Sequence, residues 1–127
     1  SPEDTCLSIF RMFFPAAGHY YAYDQVELGR HYNFYHDLMA HWEAATPNFI
    51  HEACYEKMVG ETEAQTRLLL DFCDLEWDDA CLEFHKSKRP VKTASSEQVR
   101  KPVYKTSIQG WKKYEKQLAP MLGELNL

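Results

Sequence analysis

Residues 92–113 read KTASSEQVRKPVYKTSIQGWKK and interleave cations with hydroxyl side chains, a combination that can hold phosphate. Arg100 offers a planar fork of donors and Lys101 a compact point charge. Ser95, Ser96, Thr106 and Ser107 can donate hydroxyl hydrogen bonds to the same oxygens, and Gly110 permits close backbone approach before Trp111. From Lys86 to Lys116 there are ten Lys/Arg against two carboxylates, Glu97 and Glu115, a net of +8. The rest of the chain carries a net of −13, and the whole −5. A local field of that sign in an acidic protein asks for a polyanion: a nucleotide with phosphates, a nucleic acid or an acidic surface. Taken alone, such a stretch is more often a solvated cationic loop than a site. Nucleic acid is disfavoured, because the chain is acidic and its aromatics are not spaced as stacking platforms.

Other residues could do chemistry. Ser1–Ser8, SPEDTCLS, reads as a helix start, a natural anion site, with the Ser8 hydroxyl two turns in. A lone serine there is ordinarily structural. Tyr55, in ACYEKMV, is at the exit of a short apolar stretch, where a tyrosine more often packs in a core but can stack on a base. His31, His36 and His41 recur every five residues, a step of about 140° around a helix, and so do not converge on one metal. Neither G-x-x-x-x-G-K-[ST] nor G-x-G-x-x-G occurs. Cys6, Cys54, Cys73 and Cys81 form no CxxC and no zinc-finger spacing. Their apolar neighbours suggest free, buried thiols, hence a reducing, cytoplasmic setting.

These residues must be positioned by mostly helical elements. Residues 2–14 predict a helix: Pro2 suits its first turn, Glu3 and Asp4 favour the positive end, and Leu7, Phe10 and Phe14 share a stripe. Residues 15–23 form a loop with three tyrosines. Tyr20, Tyr21 and Tyr23, with Trp42, can line an aromatic acceptor pocket, although core packing suits them better. Asp24 and Glu27 resemble a capping box, and Leu28, Tyr35, Leu38 and Trp42 repeat at helical spacing until Thr46-Pro47. Asn48–Cys54 could be a strand. Thr62 can cap a further helix with Leu68, Leu69 and Phe72 inward. A short helix is expected over 78–84, an irregular basic segment broken by Pro90 and Pro102, then helices over 111–118 and 121–125. One strand cannot stand alone, so partner strands must come from elsewhere or the strand assignment fails.

With 127 residues, 45% of them apolar and 14% aromatic, the chain can build a core and is one domain or part of one. No apolar run approaches the roughly 18–20 residues of a membrane span. Residues 1–16 lack the basic start and long apolar run of a signal peptide.

In combination these segments resemble the C-terminal half of a sulfotransferase domain that uses 3′-phosphoadenosine-5′-phosphosulfate. The likeness is nearest to bacterial domains that follow tetratricopeptide repeats and to tyrosylprotein sulfotransferases. Ser1–Ser8 is similar to the family's x-P-x-D-x-x-x-S, which an Arg precedes. Tyr21–Trp42 resembles its tyrosine-rich loop and following helix, and Cys54–Trp77 its Y-E-x-[LM]-V segment and the helix after it. SSEQVRKPV (Ser95–Val103) is similar to the S-T-D-Q-V-I-K-P-V run of the tyrosylprotein branch, and Gly110-Trp111-Lys112 to the G-x-W-K element of the cytosolic branch. Pro102 stands where that cytosolic branch has glycine, and the gap from Arg100-Lys101 to Lys112 is longer.

The resemblance implies an α/β, P-loop-NTPase-like sulfotransferase fold. This chain, 1–127, would be its mostly helical C-terminal part with about one strand, preceded by the remaining strands, the 5′-phosphosulfate loop and the catalytic base. It implies nucleotide contacts from Ser8 (3′-phosphate), Tyr55 (adenine end), Ser95, Arg100, Lys101 and, more weakly, Lys112. The implied activity is direct transfer of a sulfuryl group from 3′-phosphoadenosine-5′-phosphosulfate, as co-substrate and without a metal, to an acceptor hydroxyl or amine. The expected partners are that nucleotide, an acceptor, and the chain's own N-terminal half or a second copy, with no nucleic acid or membrane. The rival reading is a non-catalytic helical interaction module on the same fold.

Overall fold

The structure is a computed structural model and describes residues 1–15, 17–87, 89–90 and 98–126. Its α-helices are α1 (Pro2–Phe10), α2 (Gln25–Ala45), α3 (Tyr55–Gly60), α4 (Thr62–Phe72) and α5 (Ala119–Leu122). Short 3₁₀ turns lie at Tyr20–Tyr23, Asp79–Cys81, Phe84–Lys86, Gln98–Arg100 and Gly110–Tyr114. The chain divides into two compact units, one of Ser1–Ile50 with Thr106–Leu127 and the other of His51–Lys105.

In the first unit, α1 starts where its sequence says it should. The Ser1 hydroxyl accepts from the Asp4 N–H at 3.2 Å, and Pro2 occupies the first turn, where a missing N–H costs nothing. The helix stops at Phe10, four residues short of the expected end. Pro15 disfavours a helical Phe14. The Tyr23 hydroxyl then takes the Phe14 backbone for itself, accepting from its N–H at 2.9 Å and donating to its carbonyl at 3.1 Å.

Asp24 opens α2 by accepting from the N–H groups of Val26 and Glu27 at 2.9 and 3.0 Å. The capping box is only half built. Glu27 turns to Arg30 at 3.4 Å, while the Asp24 N–H goes to the Tyr21 carbonyl. Thr46 ends the helix, with both its N–H and its hydroxyl on the Trp42 carbonyl.

The core of this unit gathers Cys6 and Leu7 of α1, Leu28 of α2, and Leu118, Met121 and Leu125 around α5. Phe10, Tyr21, Tyr32 and Trp111 pack partly against it. The packing of α2 on α5 is close because residue 29 is glycine. A Cβ there would stand 2.8 Å from the Glu124 Cβ and 2.9 Å from the Met121 carbonyl oxygen. Side chains of α2 then fasten the segment after α5. Arg30 donates to both carboxylate oxygens of Glu124, and Asn33 donates to the Glu124 carbonyl at 2.6 Å and accepts from the Asn126 N–H at 3.1 Å.

The two expected C-terminal helices are redrawn. Residues 110–114 form a 3₁₀ turn, and α5 covers only Ala119–Leu122. Pro120 supplies no N–H and would crowd the carbonyl of Lys116 in a continuous helix, so α5 starts afresh with Pro120 in its first turn. Only Leu28 of the predicted α2 stripe is buried; Tyr35, Leu38 and Trp42 are exposed.

The second unit packs α3 on α4. Arg67 lies over the Trp77 ring at 3.7 Å while its guanidinium meets Glu63 at 2.8 Å, and the Trp77 indole N–H donates to Asp79 at 2.7 Å. Together these contacts fix the turn that leaves α4. Thr62 is the first residue of α4 and not its cap. No α4 side chain is buried, so the expected inward set of Leu68, Leu69 and Phe72 does not form a core. The single helix expected over 78–84 is two 3₁₀ turns.

The strand at Asn48–Cys54 is absent, and with it the expected α/β class: the described residues contain helices and turns but no strand or sheet. Asn48 has a left-handed φ of 64°, which breaks the extended run after Pro47. An extended stretch without a paired neighbour has no ladder bonds to hold it.

All four cysteines are free, but only Cys6 is buried; Cys73 is exposed. Burial, with a smaller push from the Glu3 carboxylate, raises the Cys6 thiol to about 11 from an ordinary value of 9.0. Two results follow. Cys6 should resist a thiol-specific colorimetric reagent at neutral pH in the folded protein and react on unfolding, whereas Cys73 should react at once. Since the folded state holds this proton more tightly, the contribution is fully present below pH 9 and is lost as pH rises towards 11. Cys6→Ser should flatten that part of a denaturation–pH curve.

Candidate functional site

Ser8 lies on α1 one turn beyond Asp4, on the same side of the helix, and its side chain is exposed. That side faces the segment leading into the 110–114 turn. The Asp4 carboxylate accepts from the backbone N–H of Gln109 at 2.7 Å and of Trp111 at 2.9 Å. Gln109 adopts a left-handed φ of 56°, which turns the two N–H groups towards one acceptor, as in backbone anion nests. Lys112 follows directly. It is exposed, and its ammonium donates to the Gln109 side-chain oxygen at 3.0 Å. The first unit therefore brings together α1, which carries Ser8, and the element that carries Lys112.

Tyr55, Arg100 and Lys101 belong to the second unit. Tyr55 is the first residue of α3, not the last of a strand, and is 48% exposed. It therefore presents ring surface that a core tyrosine would not. Arg100 spends donors on the chain itself, bonding to the carbonyls of Ser87 and Arg89, the latter at 2.6 Å. Its fork thereby ties the 98–100 turn to the segment after Phe84–Lys86, while Lys101 beside it is exposed. Ser95 lies outside the described residues.

The aromatic candidates separate as well. Tyr21 packs against the core and stacks on the His31 ring, with centroids 3.7 Å apart. Tyr23 holds Phe14, and Tyr20 and Trp42 are exposed. Among the described residues no group of three or more His, Cys, Asp or Glu is placed to hold a metal ion, and no helix is long and apolar enough to cross a membrane.

Sequence reasoning missed Asp4, which it used only as a favourable charge at a helix start. The one local sign of its second role is Gln109-Gly110, a turn-forming pair. Its acceptors' partners are 105 and 107 positions away.

Each unit carries donors of its own. In the first, the exposed hydroxyl on α1 and the exposed ammonium at 112 are suited to phosphate oxygens; in the second, the exposed ammonium at 101 is suited to the same kind of oxygen and the exposed aromatic face at 55 to a base. Comparison with known proteins adds a family. An uncharacterized protein of Aquifex aeolicus (strain VF5) is 43% identical over 102 residues, which cover 80% of this chain and 13% of that relative. The chain thus spans a small part of the length of the curated relative it matches. No solved structure matches it. Residues 1–79 match the family model described as the sulfotransferase family; Ser8 and Tyr55 fall within the matched stretch, and Ser95, Arg100, Lys101 and Lys112 beyond it. With that match over more than half of its residues, the chain belongs to the sulfotransferase family.

Proposed function

We propose that the protein transfers a sulfuryl group from 3′-phosphoadenosine-5′-phosphosulfate to an acceptor hydroxyl or amine. This chain would supply the 3′-phosphate and adenine side of the site. The observation that carries the reading is the exposed Ser8 hydroxyl, inside the family-matched stretch and on the α1 side tied to the Lys112 element. Ser8 and Lys101 are assigned to phosphate oxygens and Tyr55 to the adenine ring. Lys112 adds charge. Arg100 is assigned first to holding the backbone beside Lys101, because Ser87 and Arg89 already take two of its donors. In such a transfer the protein's work is positioning and neutralisation of charge developing on the bridging oxygen. The finer likeness to the tyrosylprotein branch, and to domains that follow tetratricopeptide repeats, rests on SSEQVRKPV and remains part of this proposal.

Titration calorimetry of the intact protein with adenosine 3′,5′-bisphosphate tests the reading. Lys101→Ala should weaken binding by about 1–3 kcal/mol, the range for loss of a charge-assisted contact. An unchanged dissociation constant would remove Lys101 from the site, and no binding by the wild type would sink the nucleotide reading. Exposure of Leu68, Phe72 and Leu75 on and after α4 favours the second reading, a protein-interaction module. That reading gains if the protein is inert towards the nucleotide.

A further inference from the structure

We infer that Asp4 is a positioning residue for the nucleotide's phosphate: through the turn at Gln109–Trp111 it sets where Lys112 stands relative to Ser8. The inference deepens the sulfotransfer reading above and rests on it.

Three observations carry it. The Asp4 carboxylate makes two charge-assisted bonds, each within 2.9 Å, to N–H groups on either side of Gly110. Two bonds from a planar acceptor fix orientation as well as distance, so the turn cannot swivel about α1 without breaking one of them. Second, the turn is not held there by its own hydrogen bonding alone. The backbone bonds that lead into it, from the Gly110 N–H to the Ser107 carbonyl and from the Lys112 N–H to the Gln109 carbonyl, are both 3.3 Å, longer than either bond to Asp4. Gln109 also keeps a left-handed φ of 56°, which a non-glycine residue adopts at a cost. The carboxylate is the strong partner that compensates. Third, Lys112 comes one residue after the second anchored N–H and bonds Gln109, the residue carrying the first. Its ammonium is thus referenced at both ends to groups that Asp4 holds. Asp4 and Ser8 are one turn apart on α1, so hydroxyl and ammonium share a helix as their common frame.

Asp4 itself is an unsuitable phosphate ligand, since a carboxylate would repel it. Its oxygens already accept from the two N–H groups and, at 3.3 Å, from the Ser1 hydroxyl, while the Lys112 ammonium bonds Gln109 and not the carboxylate.

A double-mutant cycle on the intact protein tests this, with adenosine 3′,5′-bisphosphate as the probe in titration calorimetry. Lys112→Ala and Asp4→Asn should each weaken binding by roughly three- to tenfold, the Asn because it keeps only one acceptor oxygen and no charge. The Asp4→Asn/Lys112→Ala double variant should bind no worse than Lys112→Ala alone, because Asp4 acts through Lys112. Asp4→Ala, if it folds, should behave like Asp4→Asn and lose somewhat more. Amide hydrogen exchange at Gln109 and Trp111 should accelerate in Asp4→Asn while exchange in α2 stays as in the wild type. Effects that multiply in the double variant would overturn the inference, since a merely structural loss would add to that of Lys112. So would Asp4→Asn binding as tightly as wild type while Lys112→Ala binds more weakly, a result that leaves the nucleotide reading standing. Absence of wild-type binding would remove both.

Discussion

Met121→Ala should destabilise the protein by about 2–5 kcal/mol, the range for emptying a fully enclosed aliphatic or thioether site. Met121 has no exposed surface, and it occupies the middle of the cluster formed by Cys6, Leu28, Leu118 and Leu125. Its neighbours come from three separate segments, so the space left behind cannot close by one side chain turning inward. The upper part of the range is expected because α5 is only one turn long and Met121 is its one buried side chain. Urea denaturation followed by far-UV circular dichroism measures the loss as a lower midpoint at nearly constant slope. Met121→Leu, which conserves volume, should cost less than about 1.5 kcal/mol. Equal losses for the two substitutions would mean that packing at this position is not what the structure implies.

Gly29→Val is the second large effect, expected at about 3 kcal/mol, the upper end of the overpacking range. The new Cβ would overlap two atoms at 2.8 and 2.9 Å, and one of them is the Met121 carbonyl oxygen, which cannot rotate away. Relief requires α2 and α5 to separate, which would pull Arg30 and Asn33 from Glu124 and Asn126. Gly29→Ala meets the same two atoms but recovers about 1 kcal/mol of helix propensity, so its net cost should be smaller. The order of melting temperatures should therefore be wild type, Ala, Val. A Gly29→Ala protein more stable than wild type would show that α2 and α5 do not approach this closely.

These two sites also show what the sequence could and could not reveal. Helix starts were legible from signals within one turn: Pro2, Glu3 and Asp4 at α1, and at α2 Asp24, whose side chain accepts from the N–H groups two and three residues on. The stop at Thr46-Pro47 was legible because a proline disfavours helical backbone at the residue before it. The close approach at Gly29 was not, because a glycine in a helical run looks like a weak point until a neighbour 95 residues on is known. Periodicity placed Leu28, Tyr35, Leu38 and Trp42 on one stripe, but it carries no information on how far along the stripe a partner extends. Here the core covers Leu28 and stops. The strand at 48–54 failed because pairing is a non-local property, and Asn48 takes a left-handed φ at its first position. Of the candidate site, the types of residue were legible at Ser8, Lys101 and Lys112, all exposed in the structure. The tie from Asp4 to Gln109 and Trp111 was not, and neither was the engagement of Arg100 by two backbone carbonyls.

The first unit is made of residues 1–50 and 106–127, with 51–105 threaded between them, and the bonds that close it join residues more than 90 positions apart. During synthesis α1 and α2 therefore emerge long before α5, and Leu28 must wait with its apolar face uncovered until residues 118–125 leave the ribosome. Folding of this unit should be slow for a helical protein, since helices usually gain their contacts locally. The thermodynamic penalty for the long excursion is modest, about 0.6 kcal/mol per doubling of its length. Evolution could thus lengthen or trim residues 51–105 at little cost in stability, while the time spent half-assembled would track that length.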